Sequence, residues 1–209
     1  MSPADTRTPV QKRSIQKKQS IKEAALLLFS EKGYHGTSSN EIAKKAGVSI
    51  GTFYSYYSNK KDLFYELTME YYDNVLKDIP EIPFDDDTNP RSIIKKYIKI
   101  VAVGHEYMPD FHKIINILAE SDEEFKAFYD ECDNKIGEKI FQLFANNIHL
   151  SRVKNLEVAI FVIKNSLEAV IHATKLHPCR LNEEEILNQL TDMICRYVFA
   201  DTVPTETSK

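Results

Sequence analysis

The sequence has few of the residues on which disulfide-bonded and metal-binding proteins depend. It contains only three cysteines in 209 residues. Cys132, Cys179 and Cys195 are odd in number, widely spaced and without a C-x-x-C pair, which argues against a disulfide framework or a zinc site. Reduced thiols in the cytosol are the simpler interpretation.

Long apolar runs and catalytic motifs are also missing. No segment approaches the roughly 20 apolar residues of a membrane span, and the N-terminus has no apolar core of a signal peptide. The motifs G-x-S-x-G, H-E-x-x-H and G-x-G-x-x-G are absent, and Gly47–Thr52 lacks the Gly-Lys-Ser/Thr ending of a phosphate loop. These absences predict a soluble cytoplasmic protein with no membrane association, no enzymatic site, no cofactor and no metal.

Charge is distributed unevenly along the chain. Residues 1–61 contain eleven Lys or Arg and four Asp or Glu, a net charge of +7, whereas the whole chain carries −4. The remaining 148 residues therefore carry −11. Positive charge confined to one end favours an anionic partner for that end, although a solvated basic surface is the alternative.

An apolar stripe predicts the first helix. Residues 1–12 mix Pro, Thr, Ser and charge without periodicity and are interpreted as a disordered arm. From Arg13 onward the pattern is helical. The stripe consists of Ile21, Ala24, Ala25, Leu28 and Phe29. Lys18 and neighbouring cations occupy the opening turns, where positive charge opposes the helix dipole, so a phosphate backbone is their predicted partner.

Two short helices joined by a tight turn follow. Ser38 and Glu41 have the S-x-x-E spacing of a capping box, which predicts the start of the second helix. Gly47 permits the positive φ that ends this helix, and Ser49 caps the third. A helix, a short glycine turn and another helix form the helix-turn-helix unit of DNA-binding proteins.

The outward face of the third helix is unusual for a structural helix. Phe53 and Tyr57, four residues apart, are predicted to face the core. The opposite face presents Ile50, Gly51, Thr52, Tyr54, Ser55 and Tyr56. A glycine inside a helix costs about 1 kcal/mol relative to alanine. Contact with a duplex explains Gly51, because a residue without Cβ lets the backbone approach base edges.

Residues 33–64, GYHGTSSNEIAKKAGVSIGTFYSYYSNKKDLF, closely resemble the N-terminal signature of TetR-type transcriptional regulators. The shared features are the E-I-A-x-x-A-G-V-S-x-G-T-x-Y-x-Y core, the following Lys-x-x-Leu, and the alanine-rich helix that ends in Leu28 and Phe29. Tyr57 stands where the family usually has Phe, and Ser58 replaces a frequent Pro. The resemblance covers about 50 residues and then fades.

This resemblance implies an all-helical, two-domain homodimer that binds a palindromic operator in double-stranded DNA. It also implies release of the operator when a small molecule enters the C-terminal domain. The residues implied by position to hold phosphates are Ser38, Ser39, Tyr54, Tyr56 and Lys60. Those implied to lie at or near base edges are Ser49, Ile50, Gly51, Thr52 and Ser55. Lys18 completes the predicted DNA-binding set.

The rest of the chain is interpreted from helical periodicity. A helix is predicted at about 60–78, and five more at about 91–106, 110–119, 122–147, 155–176 and 183–200. No convincing period-2 run appears, so the predicted fold class is all-α. The predicted domains are a disordered arm (1–12), a helix-turn-helix DNA-binding domain (13–61), a helical effector-binding and dimerisation domain (62–200) and a disordered tail (201–209).

The last two helices are too apolar for helices with one buried face. Residues 158–171, VAIFVIKNSLEAVI, carry apolar groups on nearly all sides. The final helix repeats this pattern at Leu187, Leu190, Met193, Ile194, Tyr197 and Val198. An isologous four-helix interface, with two helices from each subunit, would bury both apolar surfaces. The sequence therefore predicts a homodimer through the last two helices.

A pocket for a small apolar or aromatic effector is predicted among the middle helices. Ligand pockets are mostly apolar with a few directing polar groups. The candidate residues are Tyr97, His105, Phe111, Ile115, Phe128, Tyr129, Cys132, Asn165, Glu168 and His172. The alternative for each of them is an ordinary place in the core or in an interface.

The best-supported function from sequence is a ligand-responsive DNA-binding repressor. One alternative is a helical ligand-binding or enzymatic dimer whose helix-turn-helix no longer binds DNA. Another is a nonspecific architectural DNA binder, against which the intact base-facing helix argues.

Overall fold

The computed structural model describes residues 8–77, 89–107, 109–145, 151–175 and 180–199, and these segments form nine α-helices. The helices are α1 (Thr8–Lys32), α2 (Ser39–Lys45), α3 (Ile50–Tyr56), α4 (Lys60–Lys77), α5 (Pro90–Tyr107), α6 (Pro109–Ser121), α7 (Glu123–Ala145), α8 (Leu156–Lys175) and α9 (Glu183–Val198). One isolated bridge, between Ser151 and Phe199, is the β pairing found within these segments. The all-α class predicted from the sequence is confirmed.

The predicted and observed helix ends agree closely from α4 onward. Each of the five helices after residue 89 begins and ends within two residues of its predicted bounds. At the other end of the chain, α1 begins at Thr8, five residues before the predicted start. Pro9 lies in its first turn, where a missing N–H removes no helical hydrogen bond. The expectations for residues 1–7, Cys179 and the tail 201–209 lie outside the described residues.

Contacts divide the chain into two compact units. The N-terminal unit comprises residues 1–71 and 110–126, and the C-terminal unit comprises 72–109 and 127–209. Thus residues 110–121 of α6 and the first residues of α7 group with α1–α3 and with residues 60–71 of α4. The sequence-based domain boundary after residue 61 remains a functional prediction.

The N-terminal unit is built on the apolar stripe of α1. Ile21, Ala25 and Phe29 are fully buried, as the periodicity predicts. The Phe29 ring meets the Phe64 ring of α4 edge to face, with centroids 5.3 Å apart. Phe64 also contacts Phe111 of α6 at 5.2 Å. Offset and edge-to-face aromatic contacts of this kind stabilise a core beyond their buried area, so these rings fix α1, α4 and α6 together.

The C-terminal unit has its own core, formed mainly by α5, α8 and α9. Its members include Ile98 from α5, Ile163 and Ile171 from α8, and Ile194 from α9, each at most 3% exposed. An ion pair from Arg91 Nε to Asp192 Oδ1, 2.8 Å long, ties the start of α5 to α9. In the described segments no helix is long and apolar enough to cross a membrane.

Candidate nucleic-acid interface and ligand site

Local hydrogen bonds set the geometry of α2 and α3. Ser38 and Glu41 form the predicted capping box: the Glu41 amide donates to Ser38 Oγ, and the Ser38 amide donates to Glu41 Oε2. The Lys32 ammonium and both Ser38 donors hold the pKa of the Glu41 carboxyl at about 2. Gly47, with φ of 69°, ends α2, and Ser49 caps α3 through the Thr52 amide. The predicted helix-turn-helix is therefore present.

The core-facing side of α3 is the one predicted, whereas Tyr56, predicted to face outward, is half-buried against α1. Phe53 and Tyr57 are buried, at 0% and 3% exposure. On the opposite face Tyr54 is 54% exposed and Ile50 is 37% exposed. A Cβ added at Gly51 would approach only Ser49 Oγ, at 3.9 Å. Packing within the protein therefore does not require a glycine at this position.

Several of the predicted DNA-contacting side chains also hold the domain together. Tyr56 OH is hydrogen-bonded to Ser14 on α1, 2.8 Å from its Oγ and 3.1 Å from its backbone oxygen. Thr52 Oγ1 lies 2.9 Å from Ser49 Oγ, and Ser55 Oγ donates to the Thr52 carbonyl. Ser39 is the first residue of α2. Hydroxyl groups have further lone pairs, so these bonds leave the predicted DNA contacts open.

The Lys60 side chain binds the turn that follows α1. Its ammonium donates to the carbonyl oxygens of Tyr34 and Thr37, each 2.7 Å away, and lies 4.4 Å from the centre of the Tyr34 ring. Burial lowers the pKa of this group. Two of its three N–H donors are thus directed at backbone, and the predicted phosphate contact falls to the third. Sequence reasoning missed this role because neither carbonyl is marked by residue type.

The lysines of α1 have partners that the sequence analysis did not identify. Because α1 begins at Thr8, Lys18 and Lys22 lie in the middle of the helix and not in its opening turns, as the sequence analysis expected for Lys18. Lys18 pairs with Glu66 at 2.8 Å, and Lys22 pairs with Glu66 and Glu70 on α4. Burial lowers the pKa of Lys22, but hydrogen bonds to both glutamates outweigh this effect and leave it raised. The signal available in the sequence was Glu66 and Glu70, four residues apart and therefore on one face of α4. Positive charge in the middle of α1 therefore contributes to the packing of α1 on α4 as well as to any DNA contact.

The predicted ligand residues fall into separate groups. Tyr97, Tyr129, Glu168 and His172 lie in the C-terminal unit and share electrostatic neighbours there. Burial raises the pKa of the Tyr97 and Tyr129 hydroxyls, and the negative charges of Glu168 and Asp133 add to this effect. Sequence reasoning missed Asp133 and Tyr72, which belong to the same cluster. They lie on α7 and α4, far from Glu168 in sequence.

Other predicted ligand residues lie elsewhere. Phe111 and Ile115 are buried in the N-terminal unit. Asn165 is exposed, and its amide donates to the Phe161 carbonyl one turn earlier on α8. Cys132 is buried, which raises the pKa of its thiol. The side chain of His105 lies outside the described residues, and Phe128 is half-buried on α7.

A surface groove of about 470 Å³ runs over α5. Its lining residues are Ser92, Lys95, Lys96, Lys99, Ile100 and Val103. None of the predicted ligand residues is among them. Because the lining comes from one helix and includes three lysines, the groove lacks the enclosing apolar walls of a ligand pocket, and the polar cluster around Glu168 is the better candidate.

The fold and the helix-turn-helix define the class of the protein: an all-α protein with an N-terminal helix-turn-helix domain. Residues 21–67 match the family of bacterial regulatory proteins called the tetR family. This match confirms the resemblance to the TetR family that the sequence predicts for the N-terminal segment.

Individual relatives agree with this assignment. An uncharacterized HTH-type transcriptional regulator, YuxN of Bacillus subtilis, is 30% identical over 134 residues, 64% of this chain and 45% of the relative. The chain spans about half the length of the curated relatives it matches. Among solved structures, a TetR-family regulator of Mesorhizobium loti has a TM-score of 0.70 at 20% identity, covering 90% of this chain and 99% of that one. SmeT, the repressor of a Stenotrophomonas maltophilia multidrug efflux pump, has a TM-score of 0.72 at 15% identity, covering 91% and 94%.

Proposed function

We propose that the protein is a cytoplasmic repressor that binds a palindromic DNA operator as a homodimer and leaves it when a small molecule binds the C-terminal domain. The observation that carries the proposal is the outward face of α3. Ile50, Gly51 and Tyr54 are exposed there, and Gly51 has no packing reason to be glycine. A face of this composition suits the major groove, where apolar groups meet thymine methyls and hydroxyls meet phosphates.

Selection of bound sites from random duplexes tests the DNA-binding part. We expect a two-fold sequence whose half-sites are about one helical turn apart, or a multiple of it. Binding should weaken steeply with salt, because each neutralised phosphate releases counterions. Thr52→Val should change the preferred sequence, whereas Tyr54→Phe should weaken binding to all duplexes by a similar factor. A folded dimer that binds no duplex at low salt would favour the alternative of a ligand-binding or enzymatic dimer.

The dimer is supported by exposed apolar side chains on α8 and α9. Val158, Phe161 and Val162 of α8 are 54%, 68% and 43% exposed, and Met193 and Tyr197 of α9 are 49% and 39% exposed. Apolar groups concentrated on neighbouring helices mark an interaction surface. A two-fold operator also requires two DNA-binding domains related by two-fold symmetry.

Phe161→Asp tests this interface. Placing a carboxylate in an apolar interface is costly because the charge loses its water, so the variant should be monomeric in analytical ultracentrifugation and should lose operator binding. Ile117→Asp is the matched control, since Ile117 is 63% exposed on α6 and lies outside the proposed interface. A dimeric Phe161→Asp protein would contradict the assignment of the interface.

A small-molecule effector is the remaining part of the proposal. An effector that releases the operator must bind the released conformation more tightly, and linkage requires that operator DNA weaken effector binding by the same factor. Measuring effector affinity with and without the selected duplex checks this reciprocity. Effector affinity that does not change when the duplex is present would contradict a ligand-released repressor.

A further inference from the structure

The C-terminal unit contains a cluster of polar side chains drawn from four helices. Its members are Tyr72 of α4, Tyr97 of α5, Tyr129 and Asp133 of α7, and Lys164, Glu168 and His172 of α8. The rings of Tyr72 and Tyr129 meet edge to face, with centroids 6.1 Å apart. Tyr72 and Tyr97 are each 5% exposed. Three phenol rings and two carboxylates are therefore grouped together, with the Tyr72 and Tyr97 rings buried and the Tyr129, Asp133 and Glu168 side chains half-buried.

The charges of this cluster do not balance. Lys164 forms an ion pair with Asp133. Glu168, one turn further along α8, adds a second carboxylate, and Lys164 and His172 are the positive groups that act on it. Burial raises the pKa of Glu168, and the Asp133 charge raises it further, while His172 and Lys164 act in the opposite direction. A charged carboxylate that is removed from water destabilises the folded protein unless a positive charge lies next to it.

A second, independent feature of the cluster indicates a missing partner. The Tyr97 hydroxyl is buried and has no hydrogen-bond partner among the described residues. The negative charges of Glu168 and Asp133 raise the pKa of this hydroxyl. Buried hydroxyls in native proteins are nearly always hydrogen-bonded. A buried hydroxyl without a partner, in a cluster that holds two carboxylates and one lysine, is the arrangement expected of a site whose ligand is absent.

We infer that this cluster binds an organic cation, an amine or ammonium carried on an apolar or aromatic body, with Glu168 as its counter-ion and the tyrosines as its walls. The inference rests on the proposed function, since it specifies the effector of the same domain. Cations are attracted to the faces of aromatic rings and to carboxylates together, and the Tyr97 hydroxyl can accept a hydrogen bond from an ammonium N–H.

The same cluster disfavours anionic and neutral ligands. An anionic ligand would meet the charges of both Glu168 and Asp133, and like charges in a low-dielectric interior repel strongly. A neutral ligand would bury Glu168 more deeply without neutralising it. The sequence predicts a small apolar or aromatic effector, and the cluster adds that this effector carries a positive charge.

Calorimetric titration of the full-length chain with three probes tests the inference. The probes share one skeleton and differ in charge: 4-phenylbutylamine is a cation at neutral pH, 4-phenylbutanol is neutral, and 4-phenylbutyrate is an anion. The amine should bind at least about tenfold more tightly than either of the others. Glu168→Gln should remove at least about tenfold of the amine affinity, and Glu168→Asp, which keeps the charge, should retain part of it. Glu157→Gln, an exposed glutamate on the same helix, should change nothing.

Three results would overturn the inference: equal binding of the alcohol or the carboxylate, unchanged amine affinity in a Glu168→Gln protein with a normal helical circular dichroism spectrum, or no binding of the amine at millimolar concentration. Because this titration contains no DNA, its outcome is separate from that of the proposed function. Adding the amine to the complex with the selected duplex then tests release. Binding without release would leave the cation site intact and contradict the ligand-released repressor.

Discussion

In the N-terminal unit, the buried Lys22 and the half-buried Lys60 contact groups that balance their charge. In the C-terminal unit, the buried Tyr97 hydroxyl has no hydrogen-bond partner among the described residues, and two carboxylates, Glu168 and Asp133, lie near a single lysine. Lys22 pairs with two glutamates of α4, and Lys60 donates to two backbone carbonyls. Glu168 stands beside an ion pair that already joins Lys164 to Asp133. The two lysines thus have partners within the fold, whereas the Tyr97 hydroxyl is proposed to gain its partner from a ligand.

This difference fits what each unit is proposed to do. A DNA-binding domain must present α3 in a fixed orientation, and buried polar groups that are fully satisfied make a core rigid and specific. A ligand site gains specificity from polar groups that only the right ligand satisfies, at a cost in stability when the ligand is absent. Substitutions that neutralise these groups should therefore have opposite effects in the two units.

Lys60→Met should give the largest effect and should destabilise the protein. The methionine keeps the apolar stem but leaves the Tyr34 and Thr37 carbonyls without their charged donor. Hydrogen bonds to charged groups contribute about 1.5–3 kcal/mol each when buried, and Lys60 is only half-buried, so we expect a loss of about 2 kcal/mol in urea unfolding. Lys61→Met is the neighbouring control. It removes an ion pair to the exposed Glu124, and exposed pairs contribute at most about 1 kcal/mol. A loss at Lys61 as large as that at Lys60 would show that the carbonyl contacts are unimportant.

Glu168→Gln should have the opposite sign and stabilise the ligand-free protein at neutral pH. Replacing a buried charge by a neutral group of the same shape removes its desolvation cost, and we expect a gain of about 1–2 kcal/mol.

The pH dependence of this gain follows from the raised pKa of Glu168 in the folded state. Protonated Glu168 contributes to the stability of the folded protein. This contribution is fully present below pH 4.5, the ordinary pKa of a glutamate in the unfolded chain, and is lost as the pH rises through the higher pKa of Glu168 in the folded protein. Wild-type stability minus that of Glu168→Gln should therefore fall with rising pH in thermal unfolding. A difference that stays constant with pH would contradict the assigned protonation.

Gly51→Ala should give the smallest change in stability, a gain of about 0.5–1 kcal/mol. An added Cβ meets no close atom there, and alanine is favoured over glycine inside a helix by this amount. Gly47→Ala makes a useful contrast, because Gly47 has a φ of 69° that other residues rarely adopt. That variant should be destabilised. A loss of stability at Gly51 would show that the fold itself requires this glycine.

Much of the N-terminal unit could be predicted from sequence because its signals are local. The Ser38–Glu41 capping box spans four residues, the turn depends on Gly47, and the stripe of α1 repeats within a few turns; the structure contains all three. Long-range pairs could not be predicted in the same way. Glu66 lies 48 residues from Lys18 in the sequence and contacts it only after α1 and α4 have packed.

The polar cluster of the C-terminal unit illustrates the same limit. Periodicity placed Glu168 and His172 on one face of α8 and marked Tyr97 and Tyr129 as candidates. It could not show that Tyr72 and Asp133 join them, since these residues come from other helices. It also grouped Phe111 and Ile115 with them, although contacts place both in the N-terminal unit. Which helices face one another is decided by packing, and periodicity within one helix does not report it.

The most direct test of the proposed function is a titration of the selected duplex, labelled with a fluorophore, by the wild-type protein and by Gly51→Ala, with anisotropy as the readout. If the outward face of α3 approaches the bases, the added methyl group should reduce affinity at least about tenfold, a loss of about 1.4 kcal/mol, in a protein that is no less stable than wild type. Equal affinity of the two proteins for the duplex would contradict the assignment of α3 as the DNA-contacting helix.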